Sequence, residues 1–251
     1  MLTWGGFRQF PQADFQTGAR YDPDADAWTP MTIVQAPAAR SEHQVAWTGN
    51  RMIVWGGVSR SEGYIRTGGL YDPAMDTWRP MSSVGAPLSA ASQQSVWTGR
   101  YLIPWGGYVC CSGPNLNTGG RYDPETDTWT PTTLVGVPTG RQAHRMVWTG
   151  HEVIVWGGVW PNPDNSGGRY VPETDSWQPT STVGAPRWRE HPSATWTGNQ
   201  MIVWGGGGDA YLDSGGRYSI GHRRDDDGDG VTECEGDCDD ANPAVHPSST
   251  E

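Results

Sequence analysis

The residues with the most explicit chemistry are the carboxylates near the end of the chain. Asp225, Asp227 and Asp229 alternate and are followed by Gly230. That order matches the first six positions of a calcium loop, where alternate carboxylates converge on one hard cation and the glycine permits a sharp turn. The next position offers the carbonyl of Val231, and Asp237, Asp239 and Asp240 follow at the spacing of loops that close on calcium with a later Asp. Position 12 is Gly236 rather than a bidentate Glu, and no helical pattern flanks the loop, so it is not an EF-hand. One His (His246), two Cys and many oxygens suit calcium better than a softer metal. The competing reading is a solvated, disordered acidic tail.

A second set of candidates is cationic. Arg40 and His43 stand seven and four residues before Trp47, and Arg141 and His144 hold the same offsets from Trp148. Arg189 stands seven before Trp196 with His191 displaced by one residue, while Ala90 and Gln93 take these places before Trp97. A partial ring of Arg and His can bind a carboxylate or an acidic loop. Equally, such residues can satisfy carbonyls between neighbouring repeats, and both readings stay open. Variable segments carry Tyr64, Tyr108, Trp160 and Tyr211, which suit protein or carbohydrate recognition or simply pack their loops. No nucleophile elbow, HExxH or phosphate loop occurs. Gly205–Gly208 follows a strand pattern but opens no helix, so it is not a nucleotide fingerprint.

The elements that position these residues repeat. Trp-Gly-Gly recurs at Trp4, Trp55, Trp105, Trp156 and Trp204, spaced by 51, 50, 51 and 48 residues. Trp-Thr-Gly recurs at Trp47, Trp97, Trp148 and Trp196, and a third Trp follows an Asp-Pro or Val-Pro turn at Trp28, Trp78, Trp129 and Trp177. Thirteen of the fifteen Trp are thus repeat positions, so the aromatic richness needs no ligand to explain it. Each unit reads as four short strands: 43–48, the apolar run 52–55, 67–71 and 77–80, with Gly49-Asn50 and Asp72-Pro73 supplying turns. Pro80 marks the fourth strand as an outer edge. A four-stranded unit of this length cannot bury both faces alone and stacks radially as a propeller blade. The first unit begins at its second strand, and the last lacks the fourth-strand Trp. Either both terminal blades are three-stranded or the chain is cut from a longer propeller, and truncation at the N-terminus is the favoured expectation.

Charge separates the tail from this body. Residues 225–251 hold ten acids and no base, whereas the first 224 residues carry eighteen acids against all seventeen bases, every one an Arg. An acidic tail repels nucleic acid and anionic membrane and attracts cations. No apolar run reaches the ~18 residues of a spanning helix. The start shows no basic or apolar leader region, so no secretory signal is visible, and the sequence can begin downstream of one. Cys234 and Cys238 would form a disulfide in an oxidising compartment, and the vicinal Cys110 and Cys111 read as two free thiols or a redox pair.

The double glycine, spaced Tyr and downstream Trp resemble the kelch-repeat family. They stand here as Gly56-Gly57, Tyr71 and Trp78; Gly106-Gly107, Tyr122 and Trp129; and Gly157-Gly158, Tyr170 and Trp177. The resemblance covers about residues 1–220 and implies a β-propeller without implying a function. Propeller-type copper radical oxidases need a Tyr-Cys crosslink with two His, and nothing pairs Cys110 or Cys111 with a Tyr. The tail is similar to the MopE-type metal-binding motif and, more distantly, to thrombospondin type 3 calcium repeats. The matching residues are Asp225, Asp227, Asp229, Gly230, Asp237, Cys238, Asp239, Asp240, Pro247 and Glu251.

The expected protein is therefore all-β: about five kelch-type four-stranded blades over 1–220, incomplete at both ends, a linker at 221–224, and a short irregular acidic segment at 225–251. Its expected role is an extracellular or cell-surface binding module for a protein or carbohydrate, with a calcium-stabilised tail. The alternatives are a carbohydrate-modifying propeller enzyme using the Arg/His ring, and a structural spacer.

Overall fold

The computed structural model describes residues 1–109, 113–159 and 165–220. The linker 221–224, the acidic segment 225–251, Trp160 and the Cys110/Cys111 pair lie outside the described residues.

The described residues form five blade sheets in sequence order, each an antiparallel meander. Blade 2 runs Gln44–Trp47, Met52–Trp55, Gly68–Asp72, Thr77–Pro80; blade 3 runs Gln94–Trp97, Leu102–Trp105, Gly120–Asp123, Thr128–Pro131; blade 4 runs Arg145–Trp148, Val153–Trp156, Gly167–Val171, Ser176–Pro179. Blade 1 has three strands, Leu2–Trp4, Gly18–Asp22 and Ala27–Pro30, and blade 5 has three, Ser193–Trp196, Gln200–Trp204 and Gly215–Ser219. The first strands of blades 2 to 5 stand beside one another in order, which makes them the inner strands of a β-propeller. The apolar second strands Met52–Trp55, Leu102–Trp105 and Val153–Trp156 are buried throughout, as strands covered on both faces must be. The meander puts the Trp-Thr-Gly and Asp-Pro turns on one face of the propeller. The loops between second and third strands, and the lead-ins to the inner strands, lie on the other, while each crossing between blades begins against the next blade's Asp-Pro turn and outer strand. The variable loops also add two short hairpins, Phe7–Arg8 with Ala13–Asp14 and Val58–Ser59 with Gly63–Tyr64.

Local chemistry fixes the turns. The Asp72 carboxylate accepts the N–H groups of Ala74 and Met75, closing an Asx turn that ends with Asp76 at φ +49. Tyr71 Oη then donates to Asp76 Oδ1 at 2.6 Å, and the same bond recurs from Tyr122 to Asp127 and from Tyr170 to Asp175.

Those carboxylates also reach the preceding blade. Asp76 Oδ1 accepts the Thr32 N–H, while Trp78 Nε1 donates to the Thr32 carbonyl, so blade 2 grips both sides of one residue of blade 1. Blade 3 grips Ser82 of blade 2 in the same way through Asp127 and Trp129, and Asp175 of blade 4 accepts the Thr133 N–H. The Tyr71 hydroxyl and the Thr32 N–H together hold the Asp76 carboxyl below its ordinary range. Beside each grip, the indole of a Trp-Gly-Gly meets the outer-strand indole of the next blade. The ring centroids are 5.5 Å apart for Trp4–Trp78, 4.4 Å for Trp55–Trp129 and 5.5 Å for Trp105–Trp177.

The two end faces show what the junctions cover. Trp28, which no other blade covers among the described residues, is 50% exposed, whereas its counterparts Trp78, Trp129 and Trp177 are buried. Trp204, which no further blade covers among the described residues, is 59% exposed, whereas Trp55, Trp105 and Trp156 are buried.

Asp127→Ala should therefore lower unfolding stability by about 1–3 kcal/mol, because a buried tyrosine hydroxyl and an inter-blade N–H lose their acceptor. Asp26→Ala, at the uncovered face of blade 1, should stay within about 0.5 kcal/mol of wild type. Urea unfolding of the two variants checks the contrast.

Candidate functional site

The cationic ring is built into the junctions. Arg40 is fully buried: Nε donates to the Ala38 carbonyl, Nη1 to the carbonyls of Gly56 (3.0 Å) and Thr67 (2.6 Å), and Nη2 to Thr67 Oγ1. Arg141 repeats this towards Thr139, Gly157 and Ser166, and Arg189 towards Arg187, Gly205 and Ser214. The planar fork suits this task, because several fixed N–H donors converge on carbonyls a lysine could not reach together. Burial lowers the Arg40 pKa to about 10, opposed by nearby Glu62, so the group stays charged at neutral pH. The acceptors belong to the arginine's own blade, so the expectation of bonds to neighbouring-blade carbonyls is corrected. The main chain makes the inter-blade link instead: the second glycine of each preceding blade donates to the arginine carbonyl, from Gly6 to Arg40, Gly107 to Arg141 and Gly158 to Arg189. Blade 3, which has Ala90 in the arginine's place, uses Gln93 Nε2 to reach the Leu88 and Gly106 carbonyls.

The histidines fill the space the double glycine leaves. A Cβ on Gly106 would lie 2.6 Å from His144 Cε1, and one on Gly5 would lie 2.8 Å from His43 Cε1. Both glycines also have φ near +70, so the position is closed to side chains twice over. His43 stands edge-on to Trp4 and His144 edge-on to Trp105, each at 5.3 Å between centroids. Burial, then the neighbouring Arg40, pushes His43 down to about 4. His144, fully buried, is pushed to about 3 by burial and then by Arg141 and Arg145. His191 does not join them. Its one-residue displacement puts it at φ +48, in register with Glu42, Ser92 and Ala143, and its side chain is exposed while Pro192 takes the buried place.

The variable loops gather on the same face. Each pairs through an isolated bridge with the segment before its own inner strand: Ser41 with Val58, Ala91 with Tyr108, Gln142 with Val159, Glu190 with Gly207. Loops also touch across blades, with Arg60 bonded to Gln12 and Asp14 of blade 1 and stacked 4.4 Å over Phe7, and Asn115 Nδ2 donating to Val159 O. Tyr64 and Tyr108 are half-buried in these ladders, whereas Tyr211 is 99% exposed.

The sequence reading missed a further feature, in the crossings beside the next blade's outer strand. Val34, Val84, Val135 and Val183, spaced by 50, 51 and 48 residues, are each more than 70% exposed. Each sits in a tight turn, its N–H donating to the hydroxyl two residues earlier (Thr32, Ser82, Thr133, Ser181) and the next residue at positive φ. The signal was present as a repeated Val-Gly, or Val-Gln, before Ala-Pro or Val-Pro.

Among the described residues no cluster of three or more His, Cys, Asp and Glu could hold a metal, and no helix is long and apolar enough to cross a membrane. Asp225, Asp227, Asp229, Val231, Asp237, Asp239 and Asp240 lie outside them. Compared with known proteins, residues 1–216 match the family model described as Attractin/LZTR1 beta-propeller. No curated protein matches the chain.

Two outcomes follow from the junction chemistry. Arg141→Ala should cost about 1–3 kcal/mol for the carbonyls it leaves unpaired, and Arg141→Lys should rescue little of that in chemical denaturation. The unfolded chain protonates histidine near 6.5, whereas folded His43 and His144 resist protonation down to about 4 and about 3. The unfolded state thus binds more protons in that window, and stability falls as pH falls from about 6.5. His144→Gln, with the residue blade 3 uses, should flatten the decline in melting temperature between pH 7 and pH 4.

Proposed function

The chain belongs to the Attractin/LZTR1 beta-propeller family, and from that premise we propose that it is a binding module whose partner docks on the loop-bearing face. β-propeller domains generally mediate protein interactions. The observation that carries the choice of face is Tyr211, almost fully exposed on the blade 5 loop, with Tyr64 and Tyr108 half-buried on the equivalent loops. Tyrosine is among the side chains that most often anchor a protein interface. The guanidiniums of Arg40, Arg141 and Arg189 are already committed to carbonyls, so the ligand contacts we propose are those of Tyr64, Tyr108, Trp160 and Tyr211. His43, His144 and His191 frame the junctions beneath or beside that surface.

A protein partner is the first reading, with a glycan as the other ligand the aromatic loops suit. The tail supports an extracellular or cell-surface setting, because calcium there is abundant enough to fill a loop of this donor set. In this reading Asp225, Asp227, Asp229 and the Val231 carbonyl hold calcium, and Asp237, Asp239 and Asp240 close the site.

An array of extracellular proteins and glycans tests the face. Binders should lose at least tenfold in affinity to a Tyr211→Ser variant and none to Asn50→Ala on the opposite face. Equal loss, or none, would remove the loop face from the account. Calcium should raise the melting temperature of the full chain, and Asp227→Ala should abolish the rise, since a ligand that binds only the folded site stabilises it by mass action. Titration calorimetry without calcium uptake would leave the tail as a solvated acidic segment.

A further inference from the structure

The indoles and phenols at the junctions between blades 1 to 4 touch in a fixed order. From Trp55 of blade 2 the next ring is Trp129 of blade 3, at 4.4 Å between centroids, and from Trp129 it is Tyr122 of its own blade, at 5.0 Å. Trp4, Trp78 and Tyr71 follow the same path at 5.5 and 5.0 Å. Trp105, Trp177 and Tyr170 follow it at 5.5 and 4.9 Å. Centroids this close belong to rings in direct contact. Indole and phenol are also the side-chain rings that most readily give up one electron, so each junction is an unbroken path for an electron vacancy. Trp55, Trp105 and the three phenols are fully buried, which keeps dissolved scavengers off the path.

What differs along the path is the fate of a proton. Trp78 and Trp129 donate their indole N–H to the carbonyls of Thr32 and Ser82, which hold a hydrogen bond but cannot take a proton. The indole nitrogens of Trp4, Trp55, Trp105 and Trp177 have no hydrogen-bond partner among the described residues. His43 and His144 stand edge-on to Trp4 and Trp105, but burial pushes them down to about 4 and about 3, so neither is a useful base. Each phenol, by contrast, donates to a carboxylate at 2.6 Å. Burial, and then that hydrogen bond, raise the three phenols above their ordinary value, so each keeps its proton while it is reduced. Loss of an electron reverses this, because an oxidised phenol is a strong acid. The side chains of Asp127 and Asp175 are 34% exposed, which gives the proton a way out to water.

We infer that each of these junctions is a one-electron relay, which passes an oxidising equivalent from its buried indoles to its carboxylate-bonded tyrosine. The co-reactant is a diffusing one-electron oxidant. Between blades 2 and 3 that oxidant removes an electron from Trp55 or Trp129 and leaves an indole radical cation. Tyr122 returns one electron to the indole, and its phenolic proton passes to Asp127 Oδ1 along the existing hydrogen bond. The products are a neutral indole, a phenoxyl radical and a carboxylic acid, so electrons, protons and charge balance. The vacancy halts at the tyrosine because only there does a base stand ready. This activity is separate from the loop face and needs no partner bound there.

The oxidant for the test is ruthenium(III) tris-bipyridine, generated by flash–quench beside the full chain and followed by transient absorption. The indole-radical signal should decay as the phenoxyl signal rises, at a rate independent of protein concentration. Deuterium oxide should slow that rise, because the proton leaves with the electron. In Tyr71→Phe/Tyr122→Phe/Tyr170→Phe most of the phenoxyl signal should vanish, and the indole radical should live at least tenfold longer. Tyr64→Phe/Tyr108→Phe/Tyr211→Phe, on the loop face, should change neither. An unchanged phenoxyl yield in the first variant, with circular dichroism showing it folded, places the radicals on other tyrosines and overturns the relay. On the unaltered chain, a phenoxyl rise that scales with protein concentration, or one indifferent to deuterium oxide, overturns it as well.

Discussion

Each junction between successive blades 1 to 4 is closed by one carboxylate and two indoles. The carboxylate of Asp76, Asp127 or Asp175 holds a tyrosine of its own blade and an N–H of the blade before, which locks a local turn to a neighbour through a single group. The paired tryptophans beside it bury the apolar area that a four-stranded sheet cannot bury alone. Remove the carboxylate and both the turn and the junction lose a partner; remove an indole and a face becomes wet. The exposed Trp28 and Trp204 at the two ends display that dependence directly, since the same repeat positions are buried wherever a neighbour is present.

The inner end of each junction follows the same economy. The double glycine after each buried tryptophan leaves room for the ring of His43 or His144 and offers an N–H to the arginine main chain. The arginine side chain then ties its own loop to the start of its inner strand. One short motif thus serves the second strand, the loop and the next blade. Function is left to what the scaffold does not consume: the variable loops at one face, and the exposed valine turns of the crossings.

Much of this was legible in the sequence because repetition makes it so. The spacing of the three tryptophan series gave the four-strand unit, its outer edge at Pro80 and the short terminal blades, and all are present. The partner of a side chain was harder to read. Arg40 could be assigned to carbonyls, but whether of its own blade or the next depends on where the guanidinium reaches across a loop, which one-dimensional spacing does not encode. His191 misled for a related reason: a one-residue displacement on a strand lead-in reverses the direction of the side chain. The valine turns were overlooked because an apolar residue in a repeat is ordinarily assigned to the core, and only the hydroxyl-capped turn geometry holds these outward.

The claim on which the account rests is that one carboxylate couples each blade to the next. Native-state hydrogen exchange reads that coupling at single amides. The N–H groups of Thr32, Ser82 and Thr133 should exchange as slowly as those of the buried strands Met52–Trp55 and Val153–Trp156, since opening them requires separating two blades. Exchange of the three at the rate of the exposed turn amides, with the strands still protected, would contradict it.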